Sequence, residues 1–203
     1  MNELEKTLIT QLGKKNFNKI QSVTIGIAGA GGLGSNCDFN LVRSGFKNFV
    51  IVDFDIVESS NLNRQFYFYH QLGMLKVHAL KENLYLINPD INLTVLDTIL
   101  TSDNIEKIFS NCNIIVEAFD KASCKKMISE KFMNSNKLLA SASGLAGWGK
   151  SDDIKTHVIK DNFFIVGDLV SEVSDITPPI SPRVNIVAAK QANIVLDYII
   201  KNF

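Results

Sequence analysis

The chain has 203 residues, 46% of them apolar, enough to fill one substantial core, so a single globular domain is expected. Twenty-one Lys and Arg balance twenty-one Asp and Glu; with no net field to hold a phosphate polymer or an anionic bilayer, neither nucleic acid nor membrane is expected as a partner. No apolar run reaches the ~18 residues of a membrane span and the charged N-terminus lacks a signal-peptide pattern, so a cytoplasmic location is expected.

Along the chain, Leu4, Leu8 and Leu12, followed by Phe17 and Ile20, have the spacing of an amphipathic helix over 3–20. SVTIGIA at 22–28 is apolar without alternation, as suits a strand covered on both faces. A helix over 33–44 stopped by Gly45, a strand over 48–53, and a helix over 76–87 that Pro89 prevents from continuing follow. Further strands are expected at 91–97, 113–118 and 137–142, with helices at 103–110 and 122–135 between them. Strands alternating with helices imply parallel crossovers, hence an α/β fold with a Rossmann-like, doubly wound, mainly parallel sheet. Residues 144–182 carry short β runs at 154–159 and 163–166 and a loop with Pro178, Pro179 and Pro182, read as a small β excursion and substrate loop. A closing helix occupies 183–203.

Gly29-Ala30-Gly31-Gly32-Leu33-Gly34 is a G-x-G-x-x-G turn between strand and helix, where bare backbone N–H groups and a helix N-terminus can approach phosphate oxygens. Asp53 ends the next strand, placed to accept hydrogen bonds from ribose hydroxyls. Many nucleotide enzymes share these two features, nicotinamide dehydrogenases among them. The following stretch, VDFDIVESSNLNRQF, discriminates: it brings Asp55, Asn61, Leu62, Asn63, Arg64 and Gln65 into a cationic, amide-rich loop for which a dehydrogenase has no use. Arg64 can make a forked phosphate contact, and Lys76, after Gly73, can add a point charge to the same polyphosphate. Asp120 follows a strand in VEAFD, where a carboxylate can hold Mg²⁺ beside an α-phosphate; Glu117 either assists it or caps the turn.

Together GAGGLGS, VDFD, SNLNRQ, the GxxK of Gly73 to Lys76, and Asp120 resemble the ThiF, MoeB and HesA family of activating enzymes, relatives of the adenylation domains of ubiquitin-activating enzymes. INPDI at 87–91 and PRVNIVAAKQANIVL at 182–196 extend the resemblance over nearly the whole chain. It implies one ThiF-type adenylation domain over 1–203, with 1–20 an N-terminal helix, 22–143 the nucleotide-binding core, 144–182 the substrate segment and 183–203 the closing helix. It assigns Gly29 to Gly34 and Asp53 to ATP, Asn61, Arg64 and Lys76 to the phosphates and transition state, and Asp120 to Mg²⁺.

Cys37, Cys112 and Cys124 form no CxxC pair, so no zinc is expected, as in the short, zinc-free ThiF-like branch. No cysteine lies in 144–182, where some relatives carry an acyl acceptor, so the reaction is expected to stop at the acyl-adenylate, with sulfur brought by a separate donor protein. Larger members lend an N-terminal arginine to a neighbouring subunit; no arginine precedes Arg43 here, leaving Lys14, Lys15 or Lys19 as substitutes.

The activity implied by the resemblance is adenylation of the C-terminal glycine of a ubiquitin-like sulfur carrier ending in Gly-Gly, ThiS-like and serving thiamine biosynthesis, by a homodimer. The alternatives are a MoaD-like carrier in molybdopterin synthesis, an NAD-binding Rossmann oxidoreductase, and a non-catalytic nucleotide-binding scaffold. The cysteines are read as small packing groups, His70, His78 and His157 as surface residues, and Trp148, Phe163 and Phe164 as core. Arg183 either faces the site or solvates a helix end.

Overall fold

The apolar run after Val23 forms β1 (Thr24–Ala28), central in a seven-stranded sheet and buried except at its first residue. The computed structural model describes residues 1–203. Around β1 the order along the chain is α1 (Glu3–Ser22), α2 (Gly32–Arg43), β2 (Asn48–Val52), α3 (Lys76–Ile87), β3 (Asn92–Leu96), α4 (Ile105–Ile108) and β4 (Ile114–Glu117). Then come α5 (Ala122–Phe132), β5 (Leu138–Ala142), β6 (Lys155–Lys160), β7 (Phe163–Gly167) and α6 (Ser181–Asn202).

The sheet runs β3-β2-β1-β4-β5-β7-β6 and is parallel except for β6, which pairs antiparallel with β7. Strand β1 pairs with β2 on one side (Ile27 opposite Ile51) and β4 on the other (Ile27 opposite Val116), so the winding reverses there. A crevice opens beyond the carboxyl ends of the strands at such a point.

Alternate residues of the central strands feed two cores. Ile25, Ile27, Ile114 and Val116 pack with Phe17, Leu41, Leu80 and Val195 of α1, α2, α3 and α6. Ala28 and Ile115 face Ile105, Phe109, Ile128 and Phe132 beneath α4 and α5. Helices therefore cover both faces, which explains why these strands read as unbroken apolar runs.

The 144–182 segment differs in one respect from a free-standing excursion: β7 pairs with β5, so its two strands continue the main sheet. A third apolar cluster of Leu145, Ile154, Val166, Val184 and Val187 seals it against α6. Helix α1 is interrupted at Gly13, whose φ of 76° breaks the helical path into two pieces.

Candidate nucleotide and acyl site

The glycine turn is shaped by contact distances. Gly29 has φ 100°, a left-handed conformation that glycine adopts without strain. At Gly34 an added Cβ would lie 1.8 Å from the Gly29 carbonyl oxygen, so only glycine lets α2 start this close to the end of β1. Asp53 then fixes the turn: its Oδ2 accepts the Ala30 N–H at 2.7 Å and its Oδ1 accepts the Asp55 N–H at 2.8 Å. Burial pushes the Asp53 carboxyl up from its ordinary value, while these two N–H donors and the Lys76 ammonium pull against it.

The 59–66 loop is docked by two side chains of α2. Asn36 donates to the Arg64 carbonyl at 2.8 Å, and the Phe66 N–H donates to Ser35 Oγ at 3.0 Å. Arg64 is thereby held over the glycine turn, its Cγ near Gly32. Its guanidinium donates to the Ser60 carbonyl (2.9 Å) and Asn63 Oδ1 (2.8 Å). Half-burial lowers the Arg64 pKa, and the Asp120 carboxylate opposes that shift. The buried ammonium of Lys76, at the start of α3, pairs with Asp55 Oδ2 at 2.8 Å.

These groups share one cleft of about 830 Å³ at the carboxyl end of the sheet, lined by Gly29, Gly31, Gly32, Leu33, Asp53, Asp55, Arg64, Gln65, Lys76 and Asp120. Its size is within the range of pockets for small-molecule ligands. Five other singled-out residues do not line it. Ala30 and Gly34 act behind it through the turn's backbone. Asn61 is buried behind the cleft wall, where its Oδ1 accepts the Glu58 N–H at 3.0 Å and shapes the loop. Leu62 packs against the main core, and Asn63 contacts Arg64 and the Pro179 carbonyl.

The cleft also has walls absent from the sequence reading: Thr98, Ile99 and Leu100 on one side, Ser143, Gly144, Leu145, Ser171, Glu172 and Val173 on another. Lys125 lines it too, but its ammonium is spent on Glu117 (3.0 and 3.1 Å) and the Ala142 carbonyl (2.9 Å). Glu117 is fully buried and also accepts the Ser141 hydroxyl and the Phe119 N–H, so it braces the loop leading to Asp120 and has no oxygen free for a metal. Elements far apart in sequence make this network, which no local spacing announces.

Asp120 is exposed at the cleft edge, and no cluster of three His, Cys, Asp or Glu side chains stands anywhere in the chain. One carboxylate fits Mg²⁺ carried in by phosphates, which supply most of its ligands.

Cys37 and Cys112 are buried, but Cys124 is half-buried on the cleft wall, a correction to its reading as a packing group. Trp148, read as core, is 66% exposed, whereas Phe163 is buried. His70 and His78 are exposed, and Lys19 is occupied by the Ile200 carbonyl. Arg183 neither lines the cleft nor solvates a helix end: it is buried and paired with Asp168.

The chain is 36% identical over 131 residues to SUMO-activating enzyme subunit 2 of Dictyostelium discoideum, a match covering 64% of this chain and 20% of that protein. It is 35% identical over 133 residues to the adenylyltransferase and sulfurtransferase UBA4 of Candida glabrata, covering 65% and 31%. The chain thus spans between a fifth and a third of these relatives. In fold it matches the E. coli tRNA N6-threonylcarbamoyladenosine dehydratase TcdA, solved in complex with ATP, with a TM-score of 0.80 at 20% identity over 97% of this chain and 91% of that one. The sequence model of the ThiF family matches residues 4–201, and with that match across nearly its whole length this chain belongs to the ThiF family.

Proposed function

We propose that the chain adenylates the C-terminal carboxylate of a small ubiquitin-like protein ending in Gly-Gly, forming an acyl-adenylate and pyrophosphate from ATP. The observation that carries this reading is the meeting, in one cleft, of a glycine turn, two cations on one side of it, and a second compartment walled by 143–145 and 171–173. Hydride transfer needs neither cation, whereas departure of pyrophosphate builds negative charge that both can neutralise. Relatives named as an adenylyltransferase and as a modifier-activating subunit support the same chemistry.

In the proposed step a carboxylate oxygen attacks the α-phosphorus and the bond to the β-phosphate bridging oxygen breaks. The glycine turn and Asp53 hold the nucleotide, while Arg64 leaves its loop contacts to follow the departing phosphates. Lys76 supplies a point charge, and Asp55 keeps that ammonium oriented before ATP arrives. Mg²⁺ held by Asp120 would screen the phosphates against the incoming carboxylate. No protein nucleophile is needed, and alignment with charge neutralisation supplies the acceleration. A ThiS-like carrier is the favoured substrate and a MoaD-like one the second, with sulfur delivered to the acyl-adenylate by another protein.

The test is carrier-dependent ATP–pyrophosphate exchange. Arg64→Ala is expected to lose on the order of 10²-fold in exchange rate, as when one oxyanion donor is removed, with its melting temperature little changed. Arg64→Lys should recover little, because a point charge does not reproduce the fork. Full exchange in Arg64→Ala and Lys76→Ala would refute the assignment, and tight NADH binding without exchange would favour the oxidoreductase instead.

A further inference from the structure

Of the two charged residues of the closing motif, Lys190 donates to the Ile154 carbonyl, while Arg183 is buried in an ion pair that the proposed chemistry leaves unused. It opens α6, yet its side chain and that of Asp168 are only 6% and 5% exposed, and their nearest N and O atoms are 2.5 Å apart. The Arg183 Nε is buried with no partner. A helix end needs no such arrangement, and a buried ion pair is weak as a source of stability because desolvation offsets much of its attraction. Its stronger attested use is to select one geometry over others.

The geometry selected is that of residues 168–177. The Asp168 carboxylate accepts the N–H groups of Val170 (3.1 Å) and Ser171 (2.9 Å) and the Ser171 hydroxyl, so one side chain both folds the first turn of this strap and ties it to α6. Leu169 is held there with φ 62°, a conformation a non-glycine residue keeps only where its surroundings impose it. At the far end the Gly147 N–H donates to the Pro178 carbonyl at 2.9 Å. The strap's inner side, Ser171 to Val173, is a wall of the cleft, and its backbone lies so close to Gly144 that an added Cβ would stand 2.8 Å from the Ser171 oxygen. Its outer side carries Val170 and Ile176, 80% and 83% exposed, so the outer face adds little of its own to hold the strap in place.

We infer that the buried Arg183–Asp168 pair is a positioning device for the acyl substrate, fixing the strap as the outer wall of the cleft and so setting how tightly a protein's C-terminal tail is held, without acting on the nucleotide. This rests on the adenylation reading for its substrate but not for its mechanics. Neither Arg183 nor Asp168 lines the cleft, so the pair acts through the strap, and because the neighbouring Val184 packs beside Gly32 the ATP KM is the control that separates the acyl side from the nucleotide side. Burial pushes the Asp168 carboxyl up, but Ser171, the Val170 N–H and Arg183 outweigh it and hold it at about 2, so the tie persists across the neutral range.

The experiment compares wild type, Arg183→Lys, Arg183→Met, and the double variant Arg183→Met with Asp168→Asn, which removes both charges and strands neither. Limited proteolysis reads the strap, and ATP–pyrophosphate exchange with a synthetic peptide ending in Gly-Gly reads the acyl side, its C-terminal amide serving as control. Both Met variants are expected to become sensitive to cleavage within 168–177 and to raise the peptide KM at least about tenfold while the ATP KM stays within about twofold. Arg183→Lys, which keeps a charge for Asp168, should recover much of the loss. A purely structural role would instead shift both KM values together with the melting temperature, and that result overturns the inference, as does a strap no more easily cut in the double variant. If wild type fails to exchange with the peptide, the adenylation reading of the substrate is what fails, and the cleavage pattern still decides the positioning role.

Discussion

Asp38 is the residue whose chemistry is least at ease in this fold. It sits in α2 with no exposure, and neither carboxylate oxygen has a partner. Burial raises its pKa well above 3.8, so the native chain keeps a proton that the unfolded chain gives up. A raised carboxyl contributes stability that is complete below the unfolded value and drains away as pH climbs toward the folded one. Asp38→Asn is therefore expected to flatten the fall in melting temperature as pH is raised above the 3.8 of the unfolded carboxyl, each kcal/mol recovered corresponding to about 2–4 °C for a chain of this size. Parallel melting curves for the two proteins across that range would show that Asp38 is not the group responsible. The cysteines divide in the same way by environment. Cys37 is pushed far up by burial and Cys112 to about 11, while Cys124 stands on the cleft wall. One thiol, Cys124, should label in the native protein, ATP should slow that labelling, and Cys124→Ser should abolish it; mass spectrometry of the modified peptide checks the assignment.

At the scale of elements, the junction of β1 and α2 is the least tolerant point. Because the Cβ of Gly34→Ala would meet a backbone oxygen at 1.8 Å, no side-chain rotation relieves the clash and the helix has to move. A loss of about 3 kcal/mol or more in urea unfolding is expected, at the upper end for overpacked sites, together with loss of nucleotide binding. In the 59–66 loop the sequence reading placed Asn61 to Gln65 at the phosphates. The structure divides it: Arg64 and Gln65 face the cleft, while Asn61 Oδ1 accepts the Glu58 N–H of the same loop and Asn63 bridges Arg64 and the Pro179 carbonyl. A polar residue in a tight loop serves backbone N–H groups first, since an unpaired buried one is costly.

Across the whole molecule, Glu117 joins elements that meet only in the finished fold. Lys125 of α5 and Ser141 of β5 reach its carboxylate, and Gln191 of α6 donates to its carbonyl at 3.0 Å. Removing one partner of a buried pair leaves the other charge uncompensated, so Glu117→Ala is expected to cost about 3–5 kcal/mol, measured by denaturant titration. Lys125→Met together with Glu117→Met removes both charges and should cost less than Glu117→Ala alone. Equal losses would mean that packing, not charge, is what Glu117 supplies.

The sequence by itself determined the order of strands and helices, the glycine turn, and the gathering of Arg64, Lys76 and Asp120 at one cleft with it. Those are local properties: apolar runs without alternation mark doubly covered strands, and the backbone freedom of glycine marks the turn. Tertiary structure alone decided that β6 and β7 extend the main sheet, that Lys76 rests on Asp55, and that Asn61 turns inward. It also decided that Cys124 and the strap wall the cleft while Arg183 is buried beneath it. These depend on contacts between residues far apart along the chain, such as Asp168 with Arg183 and Glu117 with Ser141. A hydrogen bond or ion pair of that kind is chosen by which groups burial leaves without water, and burial is settled only when the elements have packed.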